Sequence, residues 1–155
     1  TGSVVDPNTS YLLIRGLKTL ALRVVQQNDT AMKIASFLEG HNRVKKVYYP
    51  GLPSHVDHEL AKAQMRGYGG LISFEVGGDL QKTRDFVHRL SLPYLAPSLG
   101  GVETLVSHPA TVSYYDLSSD ERLAIGITDE LVRYAVGIED ADELIGDIEQ
   151  ALSEI

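Results

Sequence analysis

The sequence predicts an α/β domain of the two-layer α+β type, in which helices cover one face of a small, mainly antiparallel sheet. Two observations predict it. The predicted strands and helices follow one another in a mixed order, and the strands are short. The 155 residues also match the size of one domain. A long helical pattern precedes the first strand, so we expect an N-terminal linker helix.

The first helix is predicted from about Ser10 to Glu39, because apolar residues recur there at steps of three and four. Val44 to Tyr49 follows as a short strand, which Pro50-Gly51-Leu52-Pro53 closes. Next come a helix from about Val56 to Met65 and a strand from Leu71 to Val76. These elements form the first half of the predicted domain.

Asp79 is a suitable N-cap for a helix that ends near Leu90. Ser91 to Pro109 is predicted to be a loop with at most short extended pieces, because its prolines and glycine pair interrupt any regular pattern. The remaining predictions are an extended piece, a helix after Ser118 or Ser119, a strand and a last helix. The extended piece spans Thr111 to Tyr115, the strand begins at Leu131, and Asp140 caps the last helix.

The composition excludes several functions. A net charge of −7 and a pI of about 5.1 disfavour a nucleic-acid partner, since the densest basic cluster is only Arg43, Lys45 and Lys46. The chain has no cysteine, which rules out thiol catalysis and disulfides within it. No apolar run approaches the length of a membrane span. We therefore expect no membrane partner and, by default, a cytoplasmic protein.

Arg133 is the most informative single residue, because it lies in an alternating strand on a face that otherwise carries Leu131 and Ala135. A guanidinium in such a place requires an anion, and its planar fork can hold a carboxylate with two parallel hydrogen bonds. The anion could belong to a small acid such as an amino acid. It could equally be a protein carboxylate, which would make Arg133 part of a structural ion pair.

Several motifs resemble the C-terminal domain of the Cys/Met-metabolism family of pyridoxal-phosphate enzymes. They occur in the family's order and cover nearly the whole chain, so a chance match is improbable. The resemblance implies the small C-terminal domain of fold-type I enzymes. The motifs are Arg15-Gly16-Leu17-Lys18-Thr19-Leu20 with Arg23, Val47-Tyr48-Tyr49-Pro50-Gly51-Leu52, Ser98-Leu99-Gly100-Gly101-Val102-Glu103-Thr104-Leu105, Pro109-Ala110 and Leu131-Val132-Arg133.

Within the family, the segments Tyr48 to His55 and Tyr114 to Leu117 look most like cystathionine gamma-synthases. Ser107-His108-Pro109-Ala110 is instead similar to methionine gamma-lyases. Beta-lyases of the family tend to carry an aromatic residue where Glu103 stands, so Glu103 favours chemistry at the gamma carbon. The resemblance therefore implies gamma-replacement on an O-acylated or O-phosphorylated homoserine by cysteine. A cystathionine or methionine gamma-lyase is the alternative.

The resemblance also implies three substrate-side roles. Arg133 would bind the substrate α-carboxylate, and Ser98 would lie beside the lysine-bound cofactor, where its hydroxyl could orient that lysine. Glu103 would lie near the distal end of the substrate and help to select it. The alternative for Ser98 is an ordinary turn serine before a glycine pair, and the alternative for Glu103 is a solvent-facing carboxylate.

The resemblance implies pyridoxal 5'-phosphate as the cofactor of a larger parent enzyme, but the chain lacks the expected lysine context. None of its six lysines stands in a Ser-x-Thr-Lys setting, and Gly67-Tyr68-Gly69-Gly70 lacks the flanks of a phosphate cradle. Residues 1–155 are thus interpreted as a linker helix (1–40) and a substrate-side domain (41–155), without the large cofactor-binding domain. We expect the isolated chain to bind no cofactor stably and to be inactive.

The expected partners are the missing large domain, the other subunits of a homotetramer and amino-acid substrates. A plastid location is possible if the parent is a plant protein. A rival hypothesis is a free-standing module for oligomerisation or amino-acid binding. A metal site formed by His55, Asp57, His58 and Glu59 is conceivable but lacks a further ligand of evident spacing, so we predict none. Ser107-His108 are sequence neighbours and form no catalytic triad.

Overall fold

The computed structural model describes residues 4–155, so the first three residues of the predicted 1–40 linker segment lie outside the described residues. In the described part, helices and strands occur in the mixed order that the sequence predicts. The helices are α1 (Pro7–Leu17), α2 (Leu20–Glu39), α3 (His58–Gln64), α4 (Leu80–Arg89), α5 (Pro109–Val112), α6 (Ser119–Ala124) and α7 (Ala141–Ser153); the strands are β1 (Val44–Tyr48), β2 (Leu71–Val76), β3 (Tyr94–Leu95), β4 (Leu105–Ser107) and β5 (Leu131–Ala135).

The strands form a single five-stranded sheet in the order β1-β2-β5-β4-β3. Every neighbouring pair is antiparallel except β3 and β4, which run parallel. The mainly antiparallel sheet predicted from the sequence is therefore confirmed. Strand β5 lies in the middle of the sheet, between β2 and β4, so a residue at its centre is flanked by side chains from both neighbours.

One face of the sheet forms the hydrophobic core. Side chains alternate across a strand, so Ile72 and Phe74 of β2 share this face with Val132 and Tyr134 of β5, which pair with them. Helices α2, α4 and α7 cover it. Each fully buried large apolar side chain contributes about 1.5–3 kcal/mol. The helical side chains in this core include Ala31, Ile34, Leu38, Phe86, Leu144, Ile148 and Leu152.

The opposite face of the sheet is more polar. Arg133 projects from it, and Ser73 and Ser107 are its cross-strand partners on β2 and β4. Helix α5 contacts β5, and Pro109 and Tyr114 line a cleft together with Arg133 on this side. Helices α2, α4 and α7 thus share one face, as predicted, while the short helix α5 and the loop after it border the other.

The prediction of one continuous helix from Ser10 to Glu39 is wrong, because the structure contains two helices. The first begins at Pro7, and the Asp6 carboxylate caps it by accepting hydrogen bonds from the amides of Asn8 and Thr9. The chain leaves helical geometry at Thr19, with φ −109° and ψ 1°. The Arg23 guanidinium stabilises this break by donating to the Gly16 carbonyl (3.1 Å) and the Thr19 hydroxyl (3.3 Å).

The apolar stripe of the N-terminal segment is only half buried. Leu13 and Leu17 of α1 are 57% and 62% exposed, and Val24 of α2 is 41% exposed. Further along α2, Ala31 and Leu38 are completely buried in the core. The periodicity therefore predicted the helical structure correctly, but within residues 4–155 the first part of the stripe packs against no core.

The region from Ser91 to Tyr115 contains one confirmed prediction and one error. Strands β3 and β4 are the short extended pieces expected in the loop, and β4 is completely buried. Thr111 to Tyr115, predicted to be extended, instead begins inside α5. Pro109 opens this helix because its missing amide costs nothing in the first turn, and its carbonyl accepts from the Ser113 amide at 3.1 Å.

Candidate functional site

The site is centred on Arg133, the middle residue of the central strand β5. It is paired with Ser73 of β2 on one side and with Ser107 of β4 on the other. The three neighbouring strands of the sheet therefore place a serine, an arginine and a serine in one row. Side chains opposite each other on antiparallel strands have Cβ atoms about 4.5–5.5 Å apart. Two hydroxyls therefore flank the base of the guanidinium-bearing side chain.

The Arg133 guanidinium is held by backbone but lacks a charged partner. Its Nη2 donates to the Ser98 carbonyl at 3.0 Å, and its Nε is buried without a hydrogen-bond partner. Within residues 4–155, no Asp or Glu oxygen lies within 4.0 Å of it. A partly buried cation in this state is costly unless an anion completes it. The structural ion pair considered as an alternative is thus not found among the described residues.

Arg133 opens into a cleft of about 220 Å³. Ser73, Ser107 and Leu131 of the sheet line it on one side, and Ser113 and Tyr114 after α5 line it together with Ile127 after α6. The lining therefore combines one positive charge, three serine side chains and apolar surface. A small molecule with a carboxylate, a few polar groups and a short apolar chain matches that chemistry.

The two other residues predicted for the site lie in the loop between β3 and β4. Ser98 is exposed, and its contact with Arg133 is made by the backbone carbonyl, so replacing its hydroxyl would leave this bond in place. Glu103 is also exposed, and its carboxylate lies against Gly101. The structure thus brings Ser98 to Arg133 directly, while Glu103 stands further along the same loop.

The sequence reasoning missed Ser73 and Ser107 as residues of the site. A signal was available for Ser73, because it interrupts the apolar residues of β2 at the position that alternation assigns to the Arg133 face. Ser107 could not be recognised in this way, since β4 is only three residues long and both of its faces are buried. Its proximity to Arg133 is decided by strand pairing.

A buried network supports the wall of the cleft. Arg122, only 7% exposed, donates to the Leu117 carbonyl at 2.7 Å and forms a 2.6 Å ion pair with Asp129. His108 is 2% exposed and bonds through Nε2 to the Asp129 carbonyl at 2.8 Å, while its Nδ1 lies 3.1 Å from the Thr111 hydroxyl. A carbonyl can only accept, so Nε2 carries the hydrogen and Nδ1 accepts from Thr111.

Burial of His108 makes the stability of the chain depend on pH. Burial lowers the pKa of His108, despite the opposing influence of Asp129. The unfolded chain therefore takes up this proton more readily, and stability should fall as the pH drops below about 6.5, by at most about 1.4 kcal/mol per pH unit. In urea unfolding, the free energy of unfolding of His108→Gln should lack this slope against pH below about 6.5. The same change at exposed His88 should retain it, and an unaltered slope in His108→Gln would contradict the assignment.

The lysines and the glycine-rich turn lie outside the cleft around Arg133. All six lysines are exposed, and none lines the cleft around Arg133. In the glycine-rich turn, protein groups already bind Gly69: its amide donates to Asn28 Oδ1 at 2.5 Å, and its carbonyl accepts from the Tyr49 hydroxyl at 2.9 Å. Pyridoxal phosphate therefore does not fit these residues alone.

The histidines of the conceivable metal cluster have local partners instead. His58 Nδ1 lies 2.9 Å from the Pro50 carbonyl, and the Asp57 amide donates to His55 Nδ1 at 3.2 Å. Across residues 4–155, no group of three His, Asp or Glu side chains is arranged to hold a metal ion. In the same part of the chain, no helix combines the length and apolarity needed to cross a membrane.

The fold and the site define a small α+β domain whose central strand presents an arginine suited to a small carboxylate. Comparison with known proteins shows the family of the chain. The family model described as Cys/Met metabolism PLP-dependent enzyme matches residues 1–153. The chain belongs to this family, whose members use pyridoxal phosphate.

Three relatives show how the family divides. The chain is 55% identical to cystathionine gamma-synthase 1, chloroplastic, of Arabidopsis thaliana over 99% of its own length, and 49% identical to a cystathionine gamma-lyase of Bacillus subtilis over all of it. It is 43% identical to an L-methionine gamma-lyase of Fusobacterium nucleatum, again over all of its length. The chain spans only 27%, 41% and 39% of these relatives. The relatives thus share a cofactor family but differ in their reactions.

Proposed function

We propose that this chain is the substrate-side domain of a pyridoxal-phosphate-dependent enzyme of sulfur amino-acid metabolism, and that Arg133 binds the substrate α-carboxylate. The observation that carries the proposal is the state of Arg133, which is partly buried, fixed by the Ser98 carbonyl and without a carboxylate partner among residues 4–155. An α-carboxylate supplies the missing charge and accepts two parallel hydrogen bonds.

The residues of this chain bind and orient the substrate. Arg133 fixes one end of an amino acid, and the serine hydroxyls beside it offer further donors and acceptors for polar groups of the substrate. Glu103, on the loop that also carries Ser98, is proposed to contribute to selection at the distal end. The cofactor supplies an electron sink for bond cleavage, and we propose that it is held by a part of the enzyme outside this chain.

Gamma-replacement, as in cystathionine gamma-synthases, is the reaction that we propose for the parent enzyme. Identity is higher to the gamma-synthase (55%) than to the gamma-lyases (49% and 43%), which supports this choice. The substrates would be an O-acylated or O-phosphorylated homoserine and cysteine. Cystathionine or methionine gamma-lyase activity is the alternative, because the same carboxylate site serves both reactions.

The exposed apolar surface of the N-terminal segment supports an assembly with further polypeptide. We define the N-terminal apolar stripe as Leu13, Leu17, Leu20 and Val24, all of which are at least 39% exposed. Such contiguous apolar surface is typical of an interface. We propose that it is covered by the remainder of the enzyme within a homotetramer. We propose a cytoplasmic location, or a plastid location as in the chloroplastic relative from Arabidopsis thaliana.

The stripe also favours the rival hypothesis, in which the chain is a non-catalytic module for oligomerisation or amino-acid binding. Assembly alone, however, gives no reason for an unpaired arginine on the polar face of the sheet. The rival predicts that substituting Arg133 leaves every catalytic property of any larger protein unchanged. The two hypotheses are therefore separated by enzyme kinetics.

A product assay tests the proposed function. We expect the full-length enzyme, given an O-activated homoserine and cysteine, to form cystathionine faster than 2-oxobutyrate, measured by chromatography of both products. The 155-residue chain alone should form neither, because it lacks a lysine at the site. Faster release of 2-oxobutyrate, from cystathionine or methionine as the only substrate, would instead assign a gamma-lyase. Turnover by the isolated chain would refute the proposal that the cofactor is held by a part of the enzyme outside this chain.

A further inference from the structure

Thr104 and Glu139 are joined by two hydrogen bonds at the end of the loop that carries Ser98, and we call this pair the clamp. The Thr104 amide donates to Glu139 Oε1 at 2.6 Å, and the Thr104 hydroxyl donates to Glu139 Oε2 at 2.7 Å. The same hydroxyl accepts from the Gly137 amide at 2.9 Å. Thr104 is completely buried. The carboxylate therefore uses both oxygens on a single residue, and every polar group of the Thr104 side chain is satisfied.

Two further bonds fix the loop on the Ser98 side of this clamp. The Val102 carbonyl accepts from the Ile138 amide at 2.9 Å, and the Gly101 carbonyl accepts from Gln27 Nε2 at 2.7 Å. The loop is thus attached both to the segment after β5 and to helix α2. Only Leu99 and Gly100 separate these anchors from Ser98.

The loop in turn sets the direction of the Arg133 side chain. The Ser98 carbonyl is the only hydrogen-bond acceptor that the guanidinium has among residues 4–155. Moving this carbonyl by about 1 Å would break or misalign the bond, because hydrogen bonds weaken steeply as they lengthen and bend. Errors of this size in the placement of a substrate-binding group reduce rates strongly. The orientation of Arg133 therefore depends on what fixes the loop.

We propose that Glu139 is a positioning residue that acts through Thr104 and the Ser98 carbonyl to hold the Arg133 guanidinium in the orientation that binds a carboxylate. This inference rests on the proposed function of Arg133. Glu139 touches neither Arg133 nor the cleft, so its effect is indirect. It should alter substrate affinity while leaving the chemistry of the bound substrate largely intact.

The test is a double-mutant cycle in the full-length enzyme, with Arg133→Lys, Glu139→Gln and the double variant. The carbonyl oxygen of glutamine can still accept from one of the two Thr104 donors. Its NH2 group, which cannot accept, then faces the other donor. We expect Glu139→Gln to raise KM for the amino-acid substrate roughly tenfold, the equivalent of losing one charge-assisted hydrogen bond, with kcat little changed. The double variant should have a KM similar to that of Arg133→Lys, because the orientation of a lysine gains little from the clamp.

Asp147→Asn provides a matched control, since this carboxylate also holds a loop through two amides, those of Ser91 (3.0 Å) and Leu92 (3.1 Å). It should leave KM unchanged, and an increase equal to that of Glu139→Gln would overturn the proposal. The proposal would also be overturned if the effects of Arg133→Lys and Glu139→Gln on the binding free energy simply added in the double variant. It would be overturned too if Glu139→Gln left KM unchanged while Arg133→Lys raised it. An unchanged KM for Arg133→Lys would instead refute the proposed function itself.

A second pair of variants applies if Glu139→Gln folds poorly. Thr104→Ser keeps the hydroxyl and should preserve KM, whereas Thr104→Val removes it and should raise KM as Glu139→Gln does. Equal KM values for the two variants would contradict the clamp. A KM that is raised only in Thr104→Val would support it, because valine keeps the shape of the side chain and removes the two hydroxyl hydrogen bonds, whereas serine removes a methyl group and keeps them.

Discussion

Arg133→Lys in the full-length enzyme is expected to lower kcat/KM for the amino-acid substrate about 100-fold, mainly by raising KM. The physical reason is the loss of the bidentate fork, which exchanges two charge-assisted hydrogen bonds for one point charge. The Ser98 carbonyl would also lose its donor. Steady-state kinetics measure the effect, and the absorbance spectrum of the bound cofactor should stay unchanged because the cofactor is proposed to lie outside this chain.

Arg43→Lys is the matched control, because Arg43 is exposed and lies away from the cleft. Among residues 4–155, its guanidinium donates a hydrogen bond only to the carbonyl of Ile155 (2.6 Å). It should leave the kinetics unaltered. A substrate analogue without the carboxylate provides a second check. Wild type should bind the analogue far more weakly than the amino acid, and Arg133→Lys should largely remove that difference. Equal kinetics of Arg133→Lys and wild type would refute the carboxylate role.

Gly137→Ala is expected to destabilise the chain strongly. A Cβ at Gly137 would collide with the Val102 carbonyl and the Glu139 carboxylate, and would lie 2.6 Å from the Glu103 carbonyl carbon. Backbone atoms cannot rotate away, so the loop or the strand end must shift. Overpacking of this kind typically costs about 1–3 kcal/mol. Denaturant unfolding should show a loss near the upper end of that range, together with a raised KM because the displaced loop carries Ser98.

Gly146→Ala is the opposite case and serves as the control. Gly146 lies within α7, and a Cβ there would meet no atom within 4 Å. Alanine is favoured over glycine by about 0.8–1.0 kcal/mol in a helix interior, so this variant should be stabilised by roughly that amount. If Gly137→Ala and Gly146→Ala had equal stabilities, the close contact between the loop and the segment after β5 would be wrong.

Local signals predicted most of the secondary structure correctly. Strand β2 begins and ends where alternation and the glycine pairs indicated, and Asp79 caps α4 by accepting from the Lys82 amide at 2.9 Å. The errors arose where tertiary contacts competed with a local pattern. The break at Thr19 depends on the Arg23 side chain reaching back to a carbonyl seven residues earlier, which periodicity does not reveal.

The geometry around Arg133 was predicted in part, while the roles of the site residues stay predictions. Strand alternation and the chemistry of a guanidinium identified Arg133, and the family motifs identified the loop with Ser98 and Glu103. Neither predicted that Ser98 would act through its carbonyl, nor that Ser73 and Ser107 would flank the arginine. Glu139 was also missed, because a carboxylate just after a strand is indistinguishable in sequence from an ordinary surface residue.

The amino-acid sequence by itself determined most of the helices and strands, the apolar faces that form the core and the arginine that we propose to bind an anion. These features depend on residues close together in the chain, through periodicity, capping and side-chain chemistry. Only the tertiary structure decided which side chains surround Arg133 and which carboxylate holds its loop. Those neighbours are up to 60 residues apart, as in the pair Ser73 and Arg133, and sheet register brings them together.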